Sequence, residues 1–200
     1  MRVGFERAGG IKAVRLGTML GAALLVAACS SSAPPATFDL TAPRDGLTSG
    51  RGRGLLVVAE PQALAAIDSN RIIVMTGGGI AYLPDAQWSD RLPKLIQTRL
   101  IQTFENGRRI QAVGRPGDRL VPVAQLNSEI RTFGIDERSG EAVVELSVKI
   151  VNDRTGRILA GEVFSSRVPS AAGGPAATAA LDAATQNLLR DVVRWVSSRI

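Results

Sequence analysis

The chain reads as α+β: a two-layer sandwich in which a largely antiparallel sheet of about six strands carries two amphipathic helices on one face. Three observations predict it. Leu92, Leu95, Ile96, Leu100 and Phe104 recur at helical spacing, as do Leu181, Ala184, Leu188, Val192 and Trp195 near the C-terminus. Between those helices Val144, Leu146, Val148 and Ile150 alternate with Val143, Glu145, Ser147 and Lys149, the period of a strand with one face in a core and the other in water. Turn chemistry at Gly77-Gly78-Gly79 and at Asn152-Asp153-Arg154-Thr155-Gly156 joins neighbouring strands as hairpins.

The first segment, 1–28, is read as a signal peptide outside the fold. Arg2, Arg7, Lys12 and Arg15 precede an apolar run from Leu16 to Ala28 that ends in small side chains. That run is too short for a bilayer core that needs about 20 helical residues. Leu25-Val26-Ala27-Ala28-Cys29-Ser30 then has the form of a bacterial lipobox holding the sole cysteine, so cleavage before Cys29 and its lipidation are expected. A thioether to diacylglycerol uses the thiolate, and the freed amine can be acylated with a palmitate-like chain. At about 0.8 kcal/mol per buried CH2, several chains anchor a protein where one does not. The competing reading is a secretory signal with a chance cysteine, which leaves a soluble exported protein. Ser30 is not the aspartate that commonly retains lipoproteins at the inner membrane, so the outer membrane, periplasmic face, is the expected location.

Residues 29–54 read as a lipidated flexible tether and lead-in. Ser30 to Thr37 is Ser/Ala/Pro without apolar periodicity, and Arg44 to Gly54 has loop composition. Phe38-Asp39-Leu40 between them suits an edge strand or a docking extension. Residues 55–200 form one domain. It opens with Leu55 to Ala59 as a buried strand, followed by the hairpin Arg71–Thr76 and Ile80–Leu83. A phosphate-cradling role for Gly77-Gly78-Gly79 would need a helix N-terminus directly after it, which is missing.

The first helix spans Asp90 to Phe104, with Ser89 or Asp90 as cap, Pro93 in its first turn and Asn106-Gly107 past its end. Ile110 to Val113 is a short strand, and Gln125 to Ile135 a long one. Leu126, Ser128 and Ile130 share a face, and Phe133 and Ile135 recover it only through a bulge near Thr132 or Gly134. Ala142 to Val151 and Ile158 to Arg167 form the second hairpin, and Ser170 to Ala176 leads into the terminal helix.

Composition removes several chemistries. Histidine is absent and the single cysteine sits at position 29, which excludes Ser-His-Asp and Cys-His nucleophilic catalysis, a CxxC site and an internal disulfide. No Walker motif occurs, and no cofactor is expected. Of the formal charge of +6, residues 1–28 hold four bases against Glu6, leaving +3, which does not describe a nucleic-acid binder. Asp85, Asp90, Glu129, Asp136, Glu137, Glu141 and Glu145 could supply acid/base pairs or oxygen ligands, but scattered solvated carboxylates account for them, and Asp136-Glu137 lacks the spaced ligands of a calcium loop. Tyr82 and Trp88 either plug the core or offer a partner contact. Trp195 poses the same alternatives. Val193 and Val196 would mark an assembly face if exposed.

A lipobox, a Phe-x-Leu lead-in, a strand, a hairpin ending Ala81-Tyr82-Leu83-Pro84-Asp85-Ala86-Gln87-Trp88, a Leu/Pro-rich helix and a strand meander closed by a helix follow in order. This order resembles the ABC-type transport auxiliary lipoprotein family, with the paraquat-inducible lipoprotein C branch as a relative, over nearly all of the mature chain. The resemblance implies a non-enzymatic accessory to an ABC lipid transporter. Its partners would be a periplasmic protein with mammalian-cell-entry (MCE) domains and a separate permease and ATPase, with a ring of identical subunits as one arrangement. A lipid-binding shuttle is the alternative, and an envelope hydrolase a more remote one.

Overall fold

The computed structural model describes residues 34–45, 54–119, 121–171 and 173–200; the expected signal segment 1–28 and Cys29 lie outside the described residues. One compact unit runs from Pro35 to Ile200. In chain order its elements are β1 (Ala36–Phe38), β2 (Leu55–Val58), β3 (Gln62–Ala63), β4 (Arg71–Thr76), β5 (Gly79–Trp88), α1 (Leu92–Gly107), β6 (Ala112–Gly114), β7 (Ala124–Asp136), β8 (Glu141–Asn152), β9 (Ile158–Pro169) and α2 (Gly174–Ser197).

The α+β class and the two helices are as expected, but the sheet is not a six-stranded antiparallel one. It has nine strands and is mixed. The long strand β7 explains why. On one edge it pairs antiparallel with β8 from Ala124↔Asn152 to Asp136↔Glu141, and β8 pairs in turn with β9. Its other edge is shared by three short strands, all parallel to it: β2 at Ala124–Leu126, β3 at Glu129–Ile130 and β4 at Gly134–Asp136. Outside them β6 pairs parallel with β2, β5 antiparallel with β4, and β1 parallel with β5.

The hairpin at Gly77-Gly78 forms as expected, with Thr76 opposite Gly79. β5 runs on past Leu83 to Trp88 because the ladder skips there. Ile73 faces Tyr82 while Arg71 faces Gln87, so Pro84, which has no N–H to donate, falls in the stretch without a β4 partner. The bulge in β7 falls between Ile130 and Thr132, one residue before the expected site, and it returns Phe133 and Ile135 to the core side. At the β8–β9 turn the Asn152 carboxamide oxygen accepts the Thr155 N–H at 3.0 Å, and Gly156 takes φ +67.

Helix α1 begins two residues later than expected. Neither Ser89 nor Asp90 caps it: the N-cap is Arg91, without a side-chain hydrogen bond to the first turn, and Asp90 instead pairs with Lys94 at 2.8 Å. At the other end Gly107 is still helical and Arg108 takes the left-handed conformation, φ 50, with its N–H on the carbonyls of Phe104 and Glu105.

Both helices contribute to one core with the inner sheet face, through Leu95, Leu100 and Phe104 of α1, Leu181, Leu188 and Val192 of α2, and Leu126, Ile130, Leu146, Val148 and Ile150 of the sheet. Val193 and Val196 are buried at 2% and 0% exposure, so the apolar breadth of α2 serves packing within the domain. A helix that meets a sheet on one side and another helix on the next needs a stripe wider than one face.

Candidate functional site

The three aromatic residues singled out in the sequence are not brought together. Trp88 ends β5 and is 1% exposed, meeting Phe133 edge-on at 5.9 Å between ring centroids. Of its two roles it takes the core one, and a surface contact through its ring does not fit that burial. Tyr82 is half-buried on β5 with the Arg71 guanidinium 3.5 Å over its ring. Trp195 is half-buried on α2, edge-on to Phe164 at 5.7 Å and covered by Arg199 at 4.4 Å.

What the fold does build is a mooring for residues 36–45. Among the described residues β1 pairs only with β5, at Ala86, Gln87 and Trp88, and the Phe38 carbonyl accepts the Ser89 N–H at 2.8 Å. The chain then crosses the helix layer. Asp39 pairs with Arg99 of α1 at 2.6 Å, the Thr41 N–H donates to Asp182 of α2 at 2.6 Å, and Asn106 donates to the Pro43 carbonyl at 3.0 Å. Arg190 of α2 donates to the Asp45 carbonyl at 3.1 Å. Leu40, 2% exposed, is the apolar peg of this strap.

Burial acts to raise the Asp39 carboxyl, but the hydrogen bond and charge of Arg99 together with the Leu40 N–H outweigh it and hold the group below its ordinary value. Nothing in the local sequence around Asp39, Thr41 or Pro43 announces these contacts, because every partner lies 60 or more residues away.

Two surface clefts are polar-lined. One, about 700 Å³, lies under the strap between Thr41, Arg99, Gln102 and Arg190. The other, about 360 Å³, opens on the sheet face away from the helices among Glu60, Gln125, Asn127, Glu129 and Lys149. Neither has the apolar wall an acyl chain would need. Among the described residues no group of three carboxylate, cysteine or histidine side chains could hold a metal, and none of their helices is long and apolar enough to cross a membrane. Of the carboxylates named from sequence, Asp90 is engaged by Lys94, Glu141 by Arg167 at 3.2 Å, Glu145 by Arg131 at 3.8 Å, and Asp136 caps the β7–β8 turn through the Arg138 N–H.

The family model of the ABC-type transport auxiliary lipoprotein component matches residues 38–193, from the strap through most of α2. The chain belongs to that family. As a member of a lipoprotein family it is a membrane-anchored protein of the cell envelope, and the family is described by transport and not by an enzyme class. The chain is also 34% identical over 163 residues to an uncharacterized protein of Bradyrhizobium diazoefficiens, across 80% of this chain but only 44% of that relative, whose length it spans by less than half.

The auxiliary lipoprotein's fold matches a crystal structure of a Xanthomonas campestris protein with a TM-score of 0.72 at 24% identity, covering 82% of this chain and 96% of that one. A hypothetical protein of Chlamydia trachomatis shares the fold more distantly, with a TM-score of 0.52 at 10% identity over 75% of this chain and 98% of that one.

Proposed function

We propose that this auxiliary lipoprotein is a non-enzymatic outer-membrane tether that docks the periplasmic MCE assembly of an ABC lipid transporter. Acylated Cys29 holds it at the periplasmic face, residues 30–35 set its reach, and the folded unit meets the MCE protein, while permease and ATPase lie in other chains.

The observation that carries this reading is the strap. The residues just downstream of the lipobox are hydrogen-bonded to β5, α1 and α2 at once, so a pull on the anchor is delivered to the whole domain and not to a loose tail. The close-packed interior and polar clefts support a tether over a lipid shuttle, which would need an apolar groove.

The test is a pull-down of the full-length chain from envelopes in mild detergent, with mass spectrometry of proteins and lipids. An MCE-domain protein recovered with permease or ATPase is the expected result. Stoichiometric phospholipid with no transporter subunit would replace the tether by the shuttle.

A further inference from the structure

One corner of the sheet is apolar, exposed and basic. It lies where β7 and β9 begin. Val121 and Val123 precede β7 at 83% and 50% exposure, and Ile158 and Leu159 open β9 at 62% and 54%. These positions are contiguous: the Val123 carbonyl accepts the Asp153 N–H at 3.5 Å, Ala124 pairs with Asn152, and Val151 beside it pairs with Ile158. Four large apolar side chains exposed at one end of the three neighbouring strands β7, β8 and β9 are unusual for a surface with nothing to cover it.

Around them stand Arg119, Arg154 and Arg157, all exposed and, among the described residues, without a carboxylate partner. Resting on the tether reading above, we propose that this corner receives the protein partner, and that the partner presents an apolar patch rimmed by carboxylates.

Charge and position select that occupant. A second copy meeting this corner through a two-fold would set the three arginines against themselves. A bilayer would accept the arginines, but the corner carries none of the aromatic side chains that settle at lipid headgroups. The site also sits away from β1, the first strand of the folded unit. β1 lies beyond β4 and β5, which adjoin the Gly134 end of β7, whereas the patch is at the Ala124 end, roughly 30 Å off by strand spacing and rise. β1 runs parallel to β5, so Pro35 precedes it on the side of the Gly77-Gly78 hairpin tip, the end of the sheet opposite the patch.

The experiment places a photo-reactive benzophenone residue at Ile158 in the full-length chain in living cells, with Gly78 at the hairpin tip as control, and identifies the adducts by mass. A transporter subunit captured at position 158 and not at 78, and reduced about tenfold when Arg154→Glu and Arg157→Glu are added, is the expected result. A phospholipid adduct, a second copy of the chain, a transporter adduct at 78 alone, or one unmoved by charge reversal overturns the proposal. If neither position captures a subunit that the detergent pull-down does recover, this corner is wrong and the tether reading stands. If the pull-down recovers none either, both fall.

Discussion

Asp39 and Arg99 meet at 2.6 Å across 60 residues of sequence, joining the segment that follows β1 to the middle of α1. Arg99 is largely buried at this contact while Asp39 is half exposed, so the pair is a clasp at the protein surface and not a core ion pair. Its worth is accordingly modest, about 1 kcal/mol or less, and its role is to fix where the strap lies.

Replacing Asp39 by Asn removes the charge and keeps the shape. The Asp39 carboxyl is held below its ordinary value in the folded state, so its contribution is present above the unfolded value and is lost as pH falls through the folded one. Urea midpoints of wild type and Asp39→Asn should therefore differ by a constant amount at neutral pH and converge below about pH 4. Proteolysis between residues 34 and 45 should quicken in the variant at pH 7, and the difference should shrink as pH falls below the ordinary carboxyl range.

Trp88→Ala removes the largest fully buried side chain and its edge contact to Phe133. The expected loss is about 3–5 kcal/mol by chemical denaturation, with Trp88→Phe losing less. Lipid attachment at Cys29 should be unchanged in both, since Trp88 acts only through the core.

Gly134 lies where β4 joins β7. A Cβ there would stand 2.7 Å from the Ile73 carbonyl oxygen and 3.0 Å from its Cγ2. Gly134→Ala should cost about 1–3 kcal/mol and raise hydrogen exchange at Ile73 and Val74 before it does so in β8.

Arg108 closes α1 in the left-handed conformation at φ 50, which strains a side chain and suits glycine. Arg108→Gly should stabilise the domain by about 0.5–1 kcal/mol, a rise of a few degrees in Tm by calorimetry.

Much of this fold is legible in the sequence where a single element carries its own signal. The helical spacing from Leu92 to Phe104 and the strict alternation from Val144 to Ile150 each need no tertiary information, and the bulge in β7 follows from Phe133 and Ile135 falling out of step with Ile130. What stays hidden is pairing. β2 and β4 are short, largely apolar runs with the same appearance whether parallel or antiparallel, and nothing local says that they and β3 share one edge of β7. β3, only two residues long, has no period to detect. The expected caps at Ser89 or Asp90 fail because Asp90 is drawn to Lys94 and its own neighbour's N–H. The strap is illegible for a related reason: Asp39, Thr41 and Pro43 look like tether until α1 and α2 are in place to receive them.

The central claim, that this lipoprotein ties a transporter assembly to the outer membrane through Cys29, is tested most directly by density-gradient separation of the membranes, following the MCE-domain protein in cells with the wild-type chain and with Cys29→Ser. The account predicts that part of the MCE-domain protein travels with outer-membrane density in the wild type and leaves that fraction in the Cys29→Ser strain. An MCE-domain protein whose distribution is the same in both strains would contradict it.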